Sequence, residues 1–152
     1  MTAGAPGPSA GAAFWRDPRF GLALAAALPV WLAFTLVQPP ERALLGLWQD
    51  PGRLLYLAVA LPILEETAFR GLVQEGLGRL IRRRWGPLSA ANLGTSAVFA
   101  LLHLPVHPPL WAASVAAPSL VFGYFKDRHG GLGAPVALHV FYNAGFFLLY
   151  PP

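Results

Sequence analysis

Long uncharged runs alternate with short charged clusters along this chain, and several of the runs are of membrane length. Phe20 to Gln38 is nineteen residues without a charge, closed by Pro39-Pro40. A helix needs about 20 apolar residues to cross roughly 30 Å of hydrocarbon, so this run predicts a first span over 20–38. Asp50-Pro51 reads as a helix start, a capping carboxylate before a proline at the first helical position. The helix it opens runs to Arg79 with Pro62 inside it. At 1.5 Å per residue its length is about 43 Å, so it tilts, kinks at Pro62 or begins outside the bilayer. Arg79, Arg82, Arg83 and Arg84 stop it. Between Leu88 and Phe125 the only side chains that can take up a positive charge are His103 and His107, and Pro105, Pro108 and Pro109 divide the stretch. Helices are expected over 88–104 and 110–125, a polar turn over Lys126 to Gly131, and a last helix over 132–150. The pattern predicts an all-α polytopic membrane protein of five spans, approximately 20–38, 52–79, 88–104, 110–125 and 132–150. Residues 1–13, rich in Gly, Ala and Pro and without the basic start of a signal peptide, read as a disordered tail before one transmembrane domain, 14–152.

Composition agrees with the pattern. Of 152 residues 55% are hydrophobic and 12% charged, about half the charged share of an average soluble domain. The net charge of +4 would suggest nucleic acid in a soluble protein. Here the basic residues gather at the ends of apolar runs, which excludes nucleic acid as a partner. The chain has no cysteine, which excludes disulfides and thiolate-bound metals. Arg16, Arg19, Arg79, Arg82, Arg83, Arg84, Lys126 and Arg128 fall on one side of the expected topology, and Arg42 and Arg53 on the other. The positive-inside rule then puts the N-terminus in the cytoplasm and the C-terminus outside. Trp15 and Trp85 belong to the inner interface, Trp48 and Trp111 to the outer one. There is no internal repeat of the transporter kind, and five spans do not divide into equal halves.

Against this background one cluster stands out. Glu65, Glu66 and Arg70 follow an uncharged run, and carboxylates inside a bilayer are costly and usually functional or paired. Glu66 and Arg70 stand at i and i+4, acid before base, the favoured pairing order. Glu65 lies about 100° round the helix, so the two carboxylates are expected to face different partners, leaving Glu65 free as a general base. Phe99 and His103 share a face at i, i+4, as do His139 and Asn143. Converging on one water, Glu65 with His103 would activate it, and His139 with Asn143 would donate to the developing oxyanion. Glu65, His103 and His139 also form the two-histidine, one-glutamate set of a catalytic zinc site. Taken singly, an intramembrane histidine, and Asn143 likewise, is more often an interhelical hydrogen-bonding group than a catalyst; His107 and His129, in turns, read as solvated.

Glu65-Glu66-x-x-x-Arg70, Phe99-x-x-x-His103 and His139-x-x-x-Asn143, in this order on apolar helices, resemble the signature of the CPBP family of intramembrane proteases. That family includes the CAAX prenyl endopeptidases and the bacterial abortive-infection-like proteins. Gly71 and the Gly123-Tyr124 stretch match as well, and the likeness covers about residues 54–148. The resemblance implies an intramembrane endopeptidase with Glu65 as catalytic glutamate, His103 as its partner, His139 and Asn143 at the oxyanion, and Glu66 with Arg70 in support. It implies a membrane-associated protein or peptide substrate and a bacterial inner-membrane location. The preferred mechanism needs no cofactor; a divalent metal such as zinc on Glu65, His103 and His139 is the other form. Relatives commonly have more helices, and a partner or a second copy is the expected complement to so small a wall. His103 lies near the outer end of its span and Glu65 some 14 residues into its helix, so the site is expected in the outer half of the membrane. The alternative function is a proton- or ion-translocating protein that uses Glu65, Glu66 and the histidines as a relay. Axial haem ligation by His103 and His139 is a further reading, but it leaves the glutamates and Asn143 without a role. An inactive scaffold would not need the complete polar set.

Overall fold

The computed structural model describes residues 13–41 and 43–151. The expected tail, apart from Ala13, and the outer-side Arg42 lie outside the described residues. Local chemistry marks most helix ends. Asp17 caps α1, Pro18–Val37, by accepting from the Arg19 amide at 3.1 Å. A short α2, Gly46–Gln49, precedes Asp50, which accepts from the Arg53 amide at 2.9 Å and opens α3 over residues 51–80. Ser89 caps α4, Ala90–His103, through the Asn92 amide. α5 covers Pro109–Ser114, α6 Ala116–His129 and α7 Gly133–Leu149. Gly130, in the left-handed region at φ 71°, ends α6 as glycine can without strain. Helix makes up 78% of the described residues.

Three boundaries differ from the sequence reading, each for a local reason. The helix expected over 110–125 is broken at Val115 and then runs on to His129, so Lys126 to His129 form its last turn instead of a loop. Pro118 has no amide hydrogen to give the carbonyl of Ser114, and the break places it in a first helical turn, where none is needed. A two-residue hairpin, β1 Arg84–Trp85 and β2 Leu88–Ser89, pairs Arg84 with Ser89 and displaces the expected helix start from Leu88 to Ala90. α3 does not break at Pro62. It stays helical throughout and widens into π-helical stretches at Tyr56–Ala60 and Thr67–Gln74.

Phe20 of α1, Phe122 and Phe125 of α6, and Ala134 and Leu138 of α7 form the apolar core at one end of the bundle. Farther along, Trp31 of α1 lies against Gly145 of α7, where a Cβ would overlap the indole, and Tyr142 Oη donates to the Ala23 carbonyl at 2.7 Å. The charged residues gather at the rim beside the core. Arg128 and His129 reach Asp17, Glu75 pairs with Arg79 at 2.8 Å and Lys126 at 3.2 Å, and Arg84 lies 3.6 Å from Asp127. His129, expected in solvent, is instead 3.2 Å from Asp17 and stacked on Phe125. Among the described residues, Pro18–Val37 is the helix long and apolar enough to cross a membrane; Ala90–His103 and Gly133–Leu149 are shorter apolar helices.

Candidate active site

Glu65 of α3, His103 of α4, and His139 and Asn143 of α7 all line one cavity of about 390 Å³. Its walls are aromatic and aliphatic, among them Phe99, Trp111, Phe122 and Phe146. The four residues singled out in the sequence are therefore brought together from three helices. His107 lines the same cavity, its ring stacked 5.8 Å from that of His103, so this exposed side chain stands at the site and not apart from it.

The two adjacent glutamates address one imidazole from its two sides. Glu66 is fully buried, and its Oε1 lies 2.8 Å from His139 Nδ1. Glu65 keeps 22% of its side-chain exposure, and its Oε2 lies 3.5 Å from His139 Nε2, just beyond a normal hydrogen bond. The expectation that the carboxylates face different partners thus needs correction. The 100° between successive residues is real, but the ring is wide enough to reach both. A carboxylate can only accept, so His139 Nδ1 carries the hydrogen and Nε2 is turned to Glu65. His103 is fixed in a similar way, with Nδ1 donating to the Phe99 carbonyl at 2.8 Å, which leaves Nε2 as the acceptor of the neutral ring.

Arg70 holds Glu66 from behind. Its Nη1 is 3.1 Å from Glu66 Oε1, both side chains fully buried. The guanidinium lies over Phe99 and Phe122, at 5.2 and 5.5 Å from their centroids, and its Nη2 donates to Ser119. A buried charge left without its partner is strongly destabilising, and this one is enclosed by a carboxylate, two ring faces and a serine.

Asn143 makes the interhelical hydrogen bond that the sequence offered as its other reading. In the π-helical turn at Tyr56–Ala60 the Leu61 amide reaches back five residues to Tyr56. By the same spacing the Leu57 carbonyl would be served by residue 62, a proline without an amide hydrogen. Asn143 Nδ2 donates to that carbonyl at 3.1 Å. One hydrogen of the amide is committed to α3, and the second is left for the cavity.

The sequence reading passed over Ser119, Ser96, Asn92 and Gln74, all buried. Gln74 donates to the Gly123 carbonyl at 2.9 Å and to Asp127 at 2.8 Å. A Cβ on Gly123 would collide with the amide of Asn92. The signal was available as spacing: Glu66, Arg70 and Gln74 recur every four residues, as do Asn92 with Ser96 and Ser119 with Gly123. Among the described residues no three His, Asp or Glu side chains converge as a metal-holding group. His139 Nδ1 and His103 Nδ1 are engaged, as the second nitrogen of a metal-ligating imidazole usually is, which leaves Nε2 of each ring and Glu65 as the atoms of the expected zinc trio at the cavity.

The family model described as type II CAAX prenyl endopeptidase Rce1-like matches residues 47–145, which takes in Glu65, Glu66, Arg70, His103, His139 and Asn143. No curated protein and no solved structure matches the chain.

Proposed function

From the chain's membership of the Rce1-like family of type II CAAX prenyl endopeptidases, we propose that it hydrolyses a peptide bond in a membrane-associated protein or peptide, using a water activated by Glu65 and His103. The observation that carries this reading is the shared cavity of Glu65, His103, His139 and Asn143. Water held between Glu65 and His103 Nε2 gives up a proton to the carboxylate as its oxygen attacks the scissile carbonyl. Asn143 Nδ2–H donates to the oxyanion, and so does His139 Nε2 while the proton taken from water is on it and not on Glu65 Oε2 beside it; Glu66, ion-paired with Arg70, holds the ring in place. Collapse of the tetrahedral intermediate breaks the C–N bond, and the proton on Glu65 passes to the leaving amine. Oriented donors of this kind are worth about 10²–10³-fold in rate each. A cavity of about 390 Å³ is of small-ligand size, so an extended stretch of substrate enters it, not a folded domain.

On this reading no resident metal takes part. Cleavage is expected to survive dialysis against EDTA; activity lost with a stoichiometric metal and restored by it would overturn this part. The chain spans the bacterial inner membrane five times, N-terminus inside. The native chain has no cysteine, so single substitutions report topology directly. Glu41→Cys and Tyr150→Cys are expected to label from outside and Arg82→Cys only after permeabilisation. For the reaction itself, cell-envelope peptides from strains carrying the wild type and Glu65→Gln are compared. Products present in the first and missing in the second support proteolysis, and identical peptide sets refute it.

A further inference from the structure

A file of hydroxyls leads from Arg70 into the seam between α4 and α6, and the hydrolysis steps above make no use of it. Arg70 Nη2 donates to Ser119 Oγ at 2.6 Å and to the Ser119 carbonyl at 2.9 Å. Ser119 turns its own hydrogen to Ser96 Oγ at 2.9 Å. Ser96 passes its hydrogen to Asn92 Oδ1 at 3.1 Å, and Asn92 Nδ2 donates to the Leu120 carbonyl at 2.9 Å. All three side chains are buried. Each hydroxyl therefore has one orientation, oxygen toward the guanidinium and hydrogen away from it. Dipoles aligned in this sense favour the cation, and each bond polarises the next.

Phe99 and Phe122 present ring faces to the Arg70 guanidinium carbon, and such contacts do not select its in-plane rotation. Only in-plane hydrogen bonds can set that angle, because the guanidinium is a rigid flat fork. Ser119 supplies two of them at Nη2, while Glu66 is paired with Nη1. We propose that Ser119, with its hydroxyl oriented by Ser96, is a positioning residue of the active site. It fixes the rotation of Arg70, Arg70 fixes Glu66 Oε1, and Glu66 holds His139 with Nδ1 protonated and Nε2 facing Glu65. The coupling rests on packing alone; its kinetic consequence rests on the protease reading.

The test reads the His139 ring directly. Protein with ¹⁵N-labelled histidine is compared as wild type, Ser119→Ala, Ser96→Ala and Ser119→Thr, the His139 signals being assigned by their loss in His139→Gln. The wild type is expected to show a single Nδ1–H tautomer bonded to a carboxylate. Ser119→Ala is expected to give a mixture of tautomers, Ser96→Ala a smaller admixture, and Ser119→Thr, which keeps the hydroxyl, the wild-type pattern. A wild-type His139 pattern in a folded Ser119→Ala protein overturns the proposal. If that variant does not fold, Ser96→Ala decides, since it keeps the Ser119–Arg70 contact and loses only the fixed hydroxyl direction; an unchanged pattern there overturns the proposal equally. In peptide cleavage Ser119→Ala is expected to lower kcat about tenfold with KM unchanged. Wild-type protein without any cleavage would refute the protease reading and leave the ring signals to judge Ser119.

Discussion

Glu65 and Glu66 differ by one position in the chain and by nearly everything in their surroundings. Glu66 is sealed between Arg70 and His139, whereas Glu65 keeps a path to the cavity. Glu65→Gln is therefore expected to cost about 10²–10⁴-fold in cleavage rate, the range of a positioned base, with the thermal unfolding midpoint in detergent nearly unchanged. Glu66→Gln strands the Arg70 charge and is expected to cost about 3–5 kcal/mol of stability, read as a lowered midpoint. If the two variants behaved alike, the division of roles between them would fail. At this scale the sequence was most legible. Intramembrane charges have few uses, and spacings of four residues picked out Glu66 with Arg70, Phe99 with His103 and His139 with Asn143. What stayed hidden was which groups share a partner. That depends on how α3 and α7 are rotated against each other, and nothing in the local spacing states it.

At the scale of the element the informative part is α3. Apolar length and the Asp50-Pro51 signal foretold a helix of the right extent, but the choice between a kink and a widened turn at Pro62 is made by tertiary partners. Asn143 of α7 can serve the carbonyl that Pro62 leaves free, so the helix need not bend away from it. Pro62→Ala returns an amide hydrogen to compete for that carbonyl. It is expected to raise the unfolding midpoint slightly while lowering cleavage, because Asn143 and the turn before Glu65 lose their mutual fixing; unchanged activity would show that the wide turn is incidental. The hairpin before α4 and the break before α6 were likewise invisible as apolar pattern, although Ser89 and Pro118 explain them afterwards. Gly123→Ala drives a methyl group into the Asn92 amide. Overpacking of this kind costs about 1–3 kcal/mol and is expected to disturb α4 against α6, visible as lost helix content on mild heating.

On the scale of the whole molecule, the rim beside the core ties the start of α1 to the end of α6. Asp17, which caps α1, also takes Arg128 and His129 at the end of α6. The hydrogen bond from Arg128 holds the Asp17 carboxyl below its ordinary value of 3.8, with burial opposing and the Arg19 amide helping. A carboxyl lowered in the folded state stabilises it above the ordinary value and loses that contribution as pH falls through the lowered one. Acidification below about pH 4 is thus expected to loosen α1, detected as faster proteolysis at its N-terminal end, and Asp17→Asn is expected to flatten this dependence. The membrane character of the bundle was plain from charge depletion alone, since composition is a property of the whole chain. The rim partners were not, because the charged groups of α1 and α6 are more than a hundred residues apart.

The bond between Asn143 and Leu57 has a bearing on how the chain is made. Synthesis delivers α3 long before α7, so through that interval the Leu57 carbonyl has no amide within its own helix to receive. In hydrocarbon an unsatisfied backbone group costs several kcal/mol. A nascent chain halted short of Asn143 carries an uncovered acceptor in its second long helix, and the arrival of α7 covers it.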